Sequence, residues 1–542
     1  MNQTGKLIVF AFLLTCLFIY PASAATSIPF TVNLSKVVNV TGTPRIAIDV
    51  GGVTRYATYT SGTGTSALIF TYAMVAGDVD LDGVTVSSPI DLNGGTIKDL
   101  SGNDLSPLTF TVPNTSNVKV NYPSLGMDFV YDADGRYTLN GTVYNDPTSF
   151  LSAVGGSFTR SSVATYFDSA GVLQTAASGV PRFDYDPIIL QPKGLLIEES
   201  RTNLFINSAA FNLWNQTNTT ITANTTTAPD GTTSADTWTR NSTSSSYIGQ
   251  SISKSASALT YTQSVYAKKN VGNYIAIRMQ GAYPARADMV ANLNTGTIST
   301  TASGVSGFTS ASGGIQNVGN GWYRVTLTAT TDTATTVAMY ISFNSGGGVL
   351  DATDTVSNSS GYLWGAQFEQ ASTASSYIPT TTVAVTRAAD TFTVPTGSWF
   401  NSSEGALSIN ALNGVKLNTV GIVSIDQSAF GGENRISLIR TSATNIEASV
   451  RASNITQFVT TMSGNGNNAL NKIGLGYKLN NFRLALNNTL GGLDTAGTIP
   501  TVDTLRLGAW GTPGGNIYNG WIQKMKYYPA RVSDTQLQLT TQ

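Results

Sequence analysis

Three aspartates at alternate positions, Asp78, Asp80 and Asp82, followed by Gly83, form the best candidate metal site in the chain. On an extended backbone that spacing puts all three side chains on one face, where their oxygens suit a hard cation such as Ca2+. Asp91, Asp99, Asn103 and Asp104 offer further oxygens nearby. A complete EF-hand loop needs Glu at its twelfth position, and Pro89 stands there, so a solvated turn between two strands is the competing reading. A second kind of chemistry is sugar recognition, which needs aromatic faces beside hydrogen-bonding groups. Trp510 precedes the turn-like run Gly511-Thr512-Pro513-Gly514-Gly515-Asn516, with Tyr518 beyond, and alternates against Leu505, Leu507 and Ala509. Tyr266, Arg278 and Tyr340 fall on the less apolar faces of their strands and complete the ligand-binding set. Trp364 and Trp521 sit in patterns that predict core, and packing is the competing role for every aromatic named.

Other chemistries are excluded by residue type. The chain has no histidine, and its one cysteine, Cys16, lies in an N-terminal apolar segment. Ser-His and Cys-His nucleophile pairs and His or thiolate metal sites are therefore absent from the sequence. Glycoside hydrolysis needs two carboxylates across one bond. The six glutamates are Glu198, Glu199, Glu369, Glu404, Glu433 and Glu447. Adjacent Glu198 and Glu199 would point to opposite faces of a strand, which suits an ion pair with Arg201 better than a shared site. Net charge is −1, with 30 basic and 31 acidic residues, so no electrostatic nucleic-acid binder is indicated.

The elements that must position these residues are strands. Phe30, Val32 and Leu34 alternate with polar neighbours, as do Leu68, Phe70, Tyr72 and Met74, then Ile275, Ile277 and Met279, then Val325, Leu327 and Ala329, then Val337, Met339, Ile341 and Phe343. This period of two marks half-buried strands. Turn signals such as Pro229-Asp230-Gly231 separate them. One short helix is predicted at the C-terminus, where Ser533 to Gln536 has capping-box spacing. Charged residues are only 11 % against 41 % hydrophobic, which leaves Thr, Ser, Asn and Gly to supply the polar surface.

Length and pattern together predict an all-β protein of tandem β-sandwiches. Residues 1–24 read as a signal peptide: Lys6, an apolar run from Leu7 to Tyr20, and the cleavage pattern Ala22-Ser23-Ala24. The mature chain is expected to begin at Ala25, to carry no thiol and to hold no membrane span. Residues 27–113 read as one β unit, 114–195 as a connector with β-hairpins, 196–386 as the longest run of strands, and 396–542 as a last β domain. The sequons at Asn33, Asn140, Asn241 and Asn454 matter only where a host glycosylates them.

Particular segments add a resemblance. SFTRSSVATYFDSAGVLQTAASGVPRFDYDP (157–187) and GLLIEESRTNLFINSAAFNLW (194–214) resemble a module of bacteriophage tail and fibre proteins, departing from it at IILQP (188–192). YTQSVYAKK (261–269), GNGWYRVTLTAT (319–330) and YLWGAQFEQASTASSYIPT (362–380) resemble the jelly roll that follows that module, which is similar to carbohydrate-binding modules. EGALSINAL (404–412), LRLGAW (505–510) and YNGWIQKMKYYPARVSDTQLQ (518–538) resemble concanavalin A-like, laminin G-like lectin domains. Residues 27–113 resemble a bacterial Ig-like adhesin repeat. The resemblance implies an exported, non-catalytic surface protein, an adhesin or phage-tail-like receptor-binding protein with a surface polysaccharide or glycan as partner. A structural fibre, decoration or matrix subunit with homo-oligomer or fibre partners is the alternative, and a polysaccharide-degrading enzyme the third reading.

Overall fold

A computed structural model describes residues 26–132, 134–414, 419–428, 433–511 and 516–542. The expected leader, with Cys16, lies outside the described residues, as do Thr512 to Gly515. No helix among the described residues is long and apolar enough to cross a membrane. The first unit is a six-stranded antiparallel sheet in the order Thr85–Val86, Arg45–Val50, Val53–Ser61, Thr65–Ala73, Ser27–Thr41, Thr96–Asp99. Its first hairpin turns at Gly51 and Gly52, both at positive φ, the geometry that keeps a two-residue turn in line with strand twist. The alternating residues point inward as the sequence predicts: Val32, Leu34, Leu68, Phe70 and Tyr72 share one core. The unit runs past residue 113, because Val120–Asn121 pairs with Val79–Asp80 and Val120 enters that core.

Residues 215–369 build two facing six-stranded sheets. One runs Asn215–Thr217, Tyr247–Ser253, Thr336–Asn344, Tyr274–Gln280, Arg286–Asn292, Thr297–Val305. The other runs Thr219–Thr226, Ala235–Arg240, Ser360–Glu369, Thr260–Lys269, Trp322–Thr330, Thr309–Gly319. Ile275, Ile277, Met279, Val325, Leu327, Met339 and Ile341 fill the space between them. This is a jelly-roll-like sandwich, and tandem all-β sandwiches are the architecture of the chain.

The segment expected to be a connector is instead part of the last sandwich. Leu125–Asp128, Arg136–Leu139, Thr142–Tyr144, Phe183–Tyr185 and Pro192–Ile197 join Glu404–Leu412, Leu470–Lys478, Asn481–Leu486, Thr489–Asp494 and Gly520–Tyr528 in one ten-stranded sheet. Gly520–Tyr528 lies at the centre, with Met525 opposite Met127 and Trp521 opposite Leu196. Ser157–Thr159 and Thr391–Pro395 extend the facing seven-stranded sheet, which also holds Val420–Asp426, Arg435–Arg440 and Thr504–Leu507. A single core takes Leu125, Phe150, Leu195 and Ile197 together with Phe392, Leu407, Ile473 and Leu505. The jelly roll is thus inserted into the last sandwich, and Arg201–Asn203 pairs with Val385–Arg387 where the chain leaves and returns. A helix absent from the sequence expectations, Pro147–Val154, packs Phe150 into the same core. Its signals were local: Asp146 caps it, Pro147 starts it and Gly155 ends it in the left-handed region. The C-terminal helix, Asp534–Leu539, forms as predicted with Ser533 as its cap.

Two contacts fix the units to one another. At the neck, Arg160, Arg182 and Arg387 surround Glu198 and Asp390, all buried. Arg182 bridges both carboxylates, at 2.7 Å from Glu198 and 2.6 Å from Asp390, and Arg160 reaches Asp390 at 3.0 Å. Glu198 also accepts from the N–H of Ser376 at 2.8 Å and its hydroxyl at 2.6 Å. At the other end, Gln536 of the C-terminal helix accepts from the Leu81 N–H at 2.7 Å and donates to Asp82, docking the first unit on the last.

Candidate functional site

The outer face of the first jelly-roll sheet brings together two of the sequence-predicted ligand residues. Arg278 and Tyr340 are direct cross-strand partners, with Asp288 opposite Arg278 on its other side. Ile277, Met279, Met339 and Ile341 point into the core, so alternation turns Arg278 and Tyr340 the other way. Arg278 donates from Nε to Asp288 at 2.6 Å and, from Nη1 and Nη2, to both oxygens of Asp351 at 2.8 and 2.7 Å. Two carboxylates thus hold a buried, planar guanidinium in one orientation. The Asp351 side chain is still 49 % exposed. Tyr340 lies across Gly249: a Cβ there would come within 2.4 Å of its ring. Tyr247 meets Tyr340 edge-on, with ring centroids 5.0 Å apart. Burial, with Tyr247 beside it, raises the Tyr340 phenol above its ordinary pKa, so it stays a neutral donor and acceptor. The arrangement offers an aromatic group, a phenol and a fixed, half-exposed carboxylate, the groups that orient a polyhydroxylated ligand.

Sequence reasoning missed Tyr247, Gly249, Asp288 and Asp351. Asp288 was legible as the polar alternate of Ala287 and Met289. Asp351 lies in a loop whose approach to Arg278 no spacing announces.

The other predicted residues fall elsewhere. Tyr266 is on the second jelly-roll sheet, buried against Trp364 and Tyr377, and does not join the Arg278 face. Tyr518 is a core residue: its ring is fully buried and its hydroxyl donates to Asn413 at 2.6 Å. Trp510 is half-buried with the Arg435 guanidinium 4.4 Å from its ring centroid. Asn516 is exposed, and its carbonyl accepts from the Gly421 N–H. The set Trp510, Asn516 and Tyr518 therefore does not converge, because Tyr518, just before the strand Gly520–Tyr528, packs its ring into the core. Trp521, expected in the core, is half-exposed and donates to Asp184 at 2.8 Å.

The aspartate triplet is divided among structural roles. Asp78 accepts from Arg55 Nε and Nη2 at 3.0 and 2.7 Å and from the Tyr72 hydroxyl. Asp80 takes the Gly51 and Gly83 N–H groups, one on each oxygen, both at 2.7 Å. Asp82 faces Gln536. Among the described residues no group of three or more acidic side chains is placed to hold a metal ion. Burial pushes the Asp80 carboxyl above the ordinary aspartate range, with Asp82 nearby adding to the effect. Asp80→Asn turns an amide NH2 toward one of these N–H groups and is expected to cost about 1–3 kcal/mol. Thermal unfolding should show the same loss in calcium buffer and in chelator. A loss confined to calcium buffer would restore a calcium site here.

No family model matches the chain, and no curated protein matches it. Solved structures are similar to parts of the chain at low identity. A CBM40 module of the Ruminococcus gnavus IT-sialidase, bound to α2,6-sialyllactose, is 17 % identical over 26 % of this chain and 85 % of that one, with a TM-score of 0.24. NanB sialidase from Streptococcus pneumoniae is 15 % identical over 26 % of this chain and 24 % of its own, with a TM-score of 0.23. Domain 4 of AbnA, an extracellular arabinanase from Geobacillus stearothermophilus, in complex with arabinotriose, is 12 % identical over 31 % and 82 %, with a TM-score of 0.24.

Proposed function

We propose that the chain is an exported, non-catalytic surface protein, an adhesin or phage-tail-like receptor-binding protein, that binds a glycan on the outer face of its jelly roll. The observation that carries this reading is the Arg278–Tyr340 pair, held by Asp288 and Asp351 beside the glycine shelf at Gly249. Asp351 accepts paired sugar hydroxyls while Tyr340 packs on the ring carbons. Three of the six glutamates are held in structural contacts. Glu198 is enclosed by arginines, Glu369 is buried and accepts from Gln367 and Ser375, and Glu199 pairs with Arg201.

A glycan array of neutral and acidic oligosaccharides tests the reading. Wild type should bind a restricted set, and Tyr340→Ala should weaken that binding about tenfold or more with the fold intact, the loss expected of one stacked aromatic. Binding to no glycan would favour a purely structural subunit. Unchanged affinity in Tyr340→Ala would move the site off this face.

A further inference from the structure

A second site opens where the jelly roll meets the last sandwich. A cleft of about 780 Å³ lies between them, within the size range of pockets for small ligands and at a junction where such sites are common. Its floor is the outer face of the second jelly-roll sheet. Cross-strand register sets Gln316, Arg324 and Tyr266 in one row across that floor. The opposite wall comes from the last sandwich, with Trp521, Gln523 and Asn519.

Most charges that line the cleft are already paired. Lys193 sits 3.4 Å above the Trp521 ring centroid and 3.7 Å from Asp184. Asp184 is buried and accepts from the Phe167 N–H and the Trp521 indole. Asp186 caps its own turn through the Ile188 and Ile189 N–H groups. Glu198 belongs to the neck cluster, and Arg201 pairs with Glu199. Arg324 differs. Among the described residues no carboxylate lies within ion-pair distance of it. Nη2 donates to the Ser264 hydroxyl at 2.9 Å, and the guanidinium carbon stands 5.4 Å from the Tyr266 ring centroid. Its Nε is enclosed and has no hydrogen-bond partner. A guanidinium fixed on an aromatic, with donors left over and no counter-ion, is built to take a planar anion in two parallel hydrogen bonds.

From this geometry we infer that the interdomain cleft binds an acidic saccharide, with the sugar carboxylate on Arg324 and the hydroxyls on the amides of Gln316 and Gln523. The ligand class rests on the glycan-binding reading above, while the site is separate from the Arg278 face.

Titration calorimetry on the full mature chain tests it, with oligogalacturonate, which carries a carboxylate on every ring, and its fully methyl-esterified form as probes. The acid form should bind, and the ester at least tenfold more weakly. Arg324→Gln should lower affinity for the acid form at least tenfold and abolish the acid–ester difference. Gln316→Trp, an exposed change at the cleft floor, should block binding and gives an independent test where Arg324→Gln folds poorly. Equal binding of acid and ester, no binding of the acid form, or wild-type affinity in both cleft variants would overturn the inference. Loss of array binding in Tyr340→Ala together with intact but Arg324-independent titration would overturn the cleft alone. The reverse result would overturn the Arg278 face alone.

Discussion

Residues 396–542 expressed alone are expected to remain unfolded, while residues 122–197 joined by a short linker to residues 390–542 are expected to fold. In the isolated fragment, Gly520–Tyr528 loses both Leu125–Asp128 and Pro192–Ile197 and becomes a bare sheet edge. The core loses Leu125, Met127, Phe129, Phe150, Phe158, Leu195, Ile197, Phe392 and Val394. Burying such a side chain contributes about 1.5–3 kcal/mol. The combined loss matches or exceeds the ~5–15 kcal/mol by which a whole domain is stable. The linked version keeps every one of these residues. Its closure is short because Arg201–Asn203 and Val385–Arg387 already pair side by side. Circular dichroism and calorimetry decide the matter. A cooperative transition in 396–542 alone, or none in the linked version, would show that the insertion does not describe how the sandwich folds.

Replacing Arg182 by Met should cost about 3–5 kcal/mol, because it removes the one guanidinium among the described residues that hydrogen-bonds both buried carboxylates, Glu198 and Asp390. Arg182→Lys should recover part of this, since an ammonium cannot bridge two carboxylates as a guanidinium does. The same cluster sets a pH dependence. Burial by itself would raise the Glu198 carboxyl, but Arg387, Arg182 and the Ser376 hydrogen bonds overcome it and hold the group well below the usual range. The folded pKa is below the unfolded value of ~4.3, so the stabilisation is full at neutral pH. It is lost as pH falls below that value toward the depressed folded one. Urea unfolding between pH 7 and pH 3 should therefore show wild type losing stability in acid and Arg182→Met losing less. Parallel curves would show that the cluster is not linked to protonation of Glu198.

The strands that were legible in the sequence are those whose signal is local and long. Ile275, Ile277 and Met279 alternate over a seven-residue strand and face the core as the period requires. Ser533 caps its helix because capping needs only the next three residues. The neck is the contrary case. Ser157–Thr159 and Phe183–Tyr185 are three residues each, too short to show a period, and the charges of Arg182 and Asp390 meet across 208 positions. Tyr518 and Trp521 show the same limit for side chains. Strand period says which residues alternate, and only the partner sheet decides whether the outward residue meets solvent, a second domain or a cleft. Composition and alternation thus determined by themselves that this protein is built of antiparallel sandwiches, because a two-residue repeat is a property of one strand. That one sandwich is divided around another, that the aspartate triplet is separated into three structural roles, and that Arg278 meets Tyr340 while Arg324 meets no carboxylate among the described residues were decided by tertiary structure. Each depends on register between segments distant in the chain, and register is fixed by the packing of a whole core.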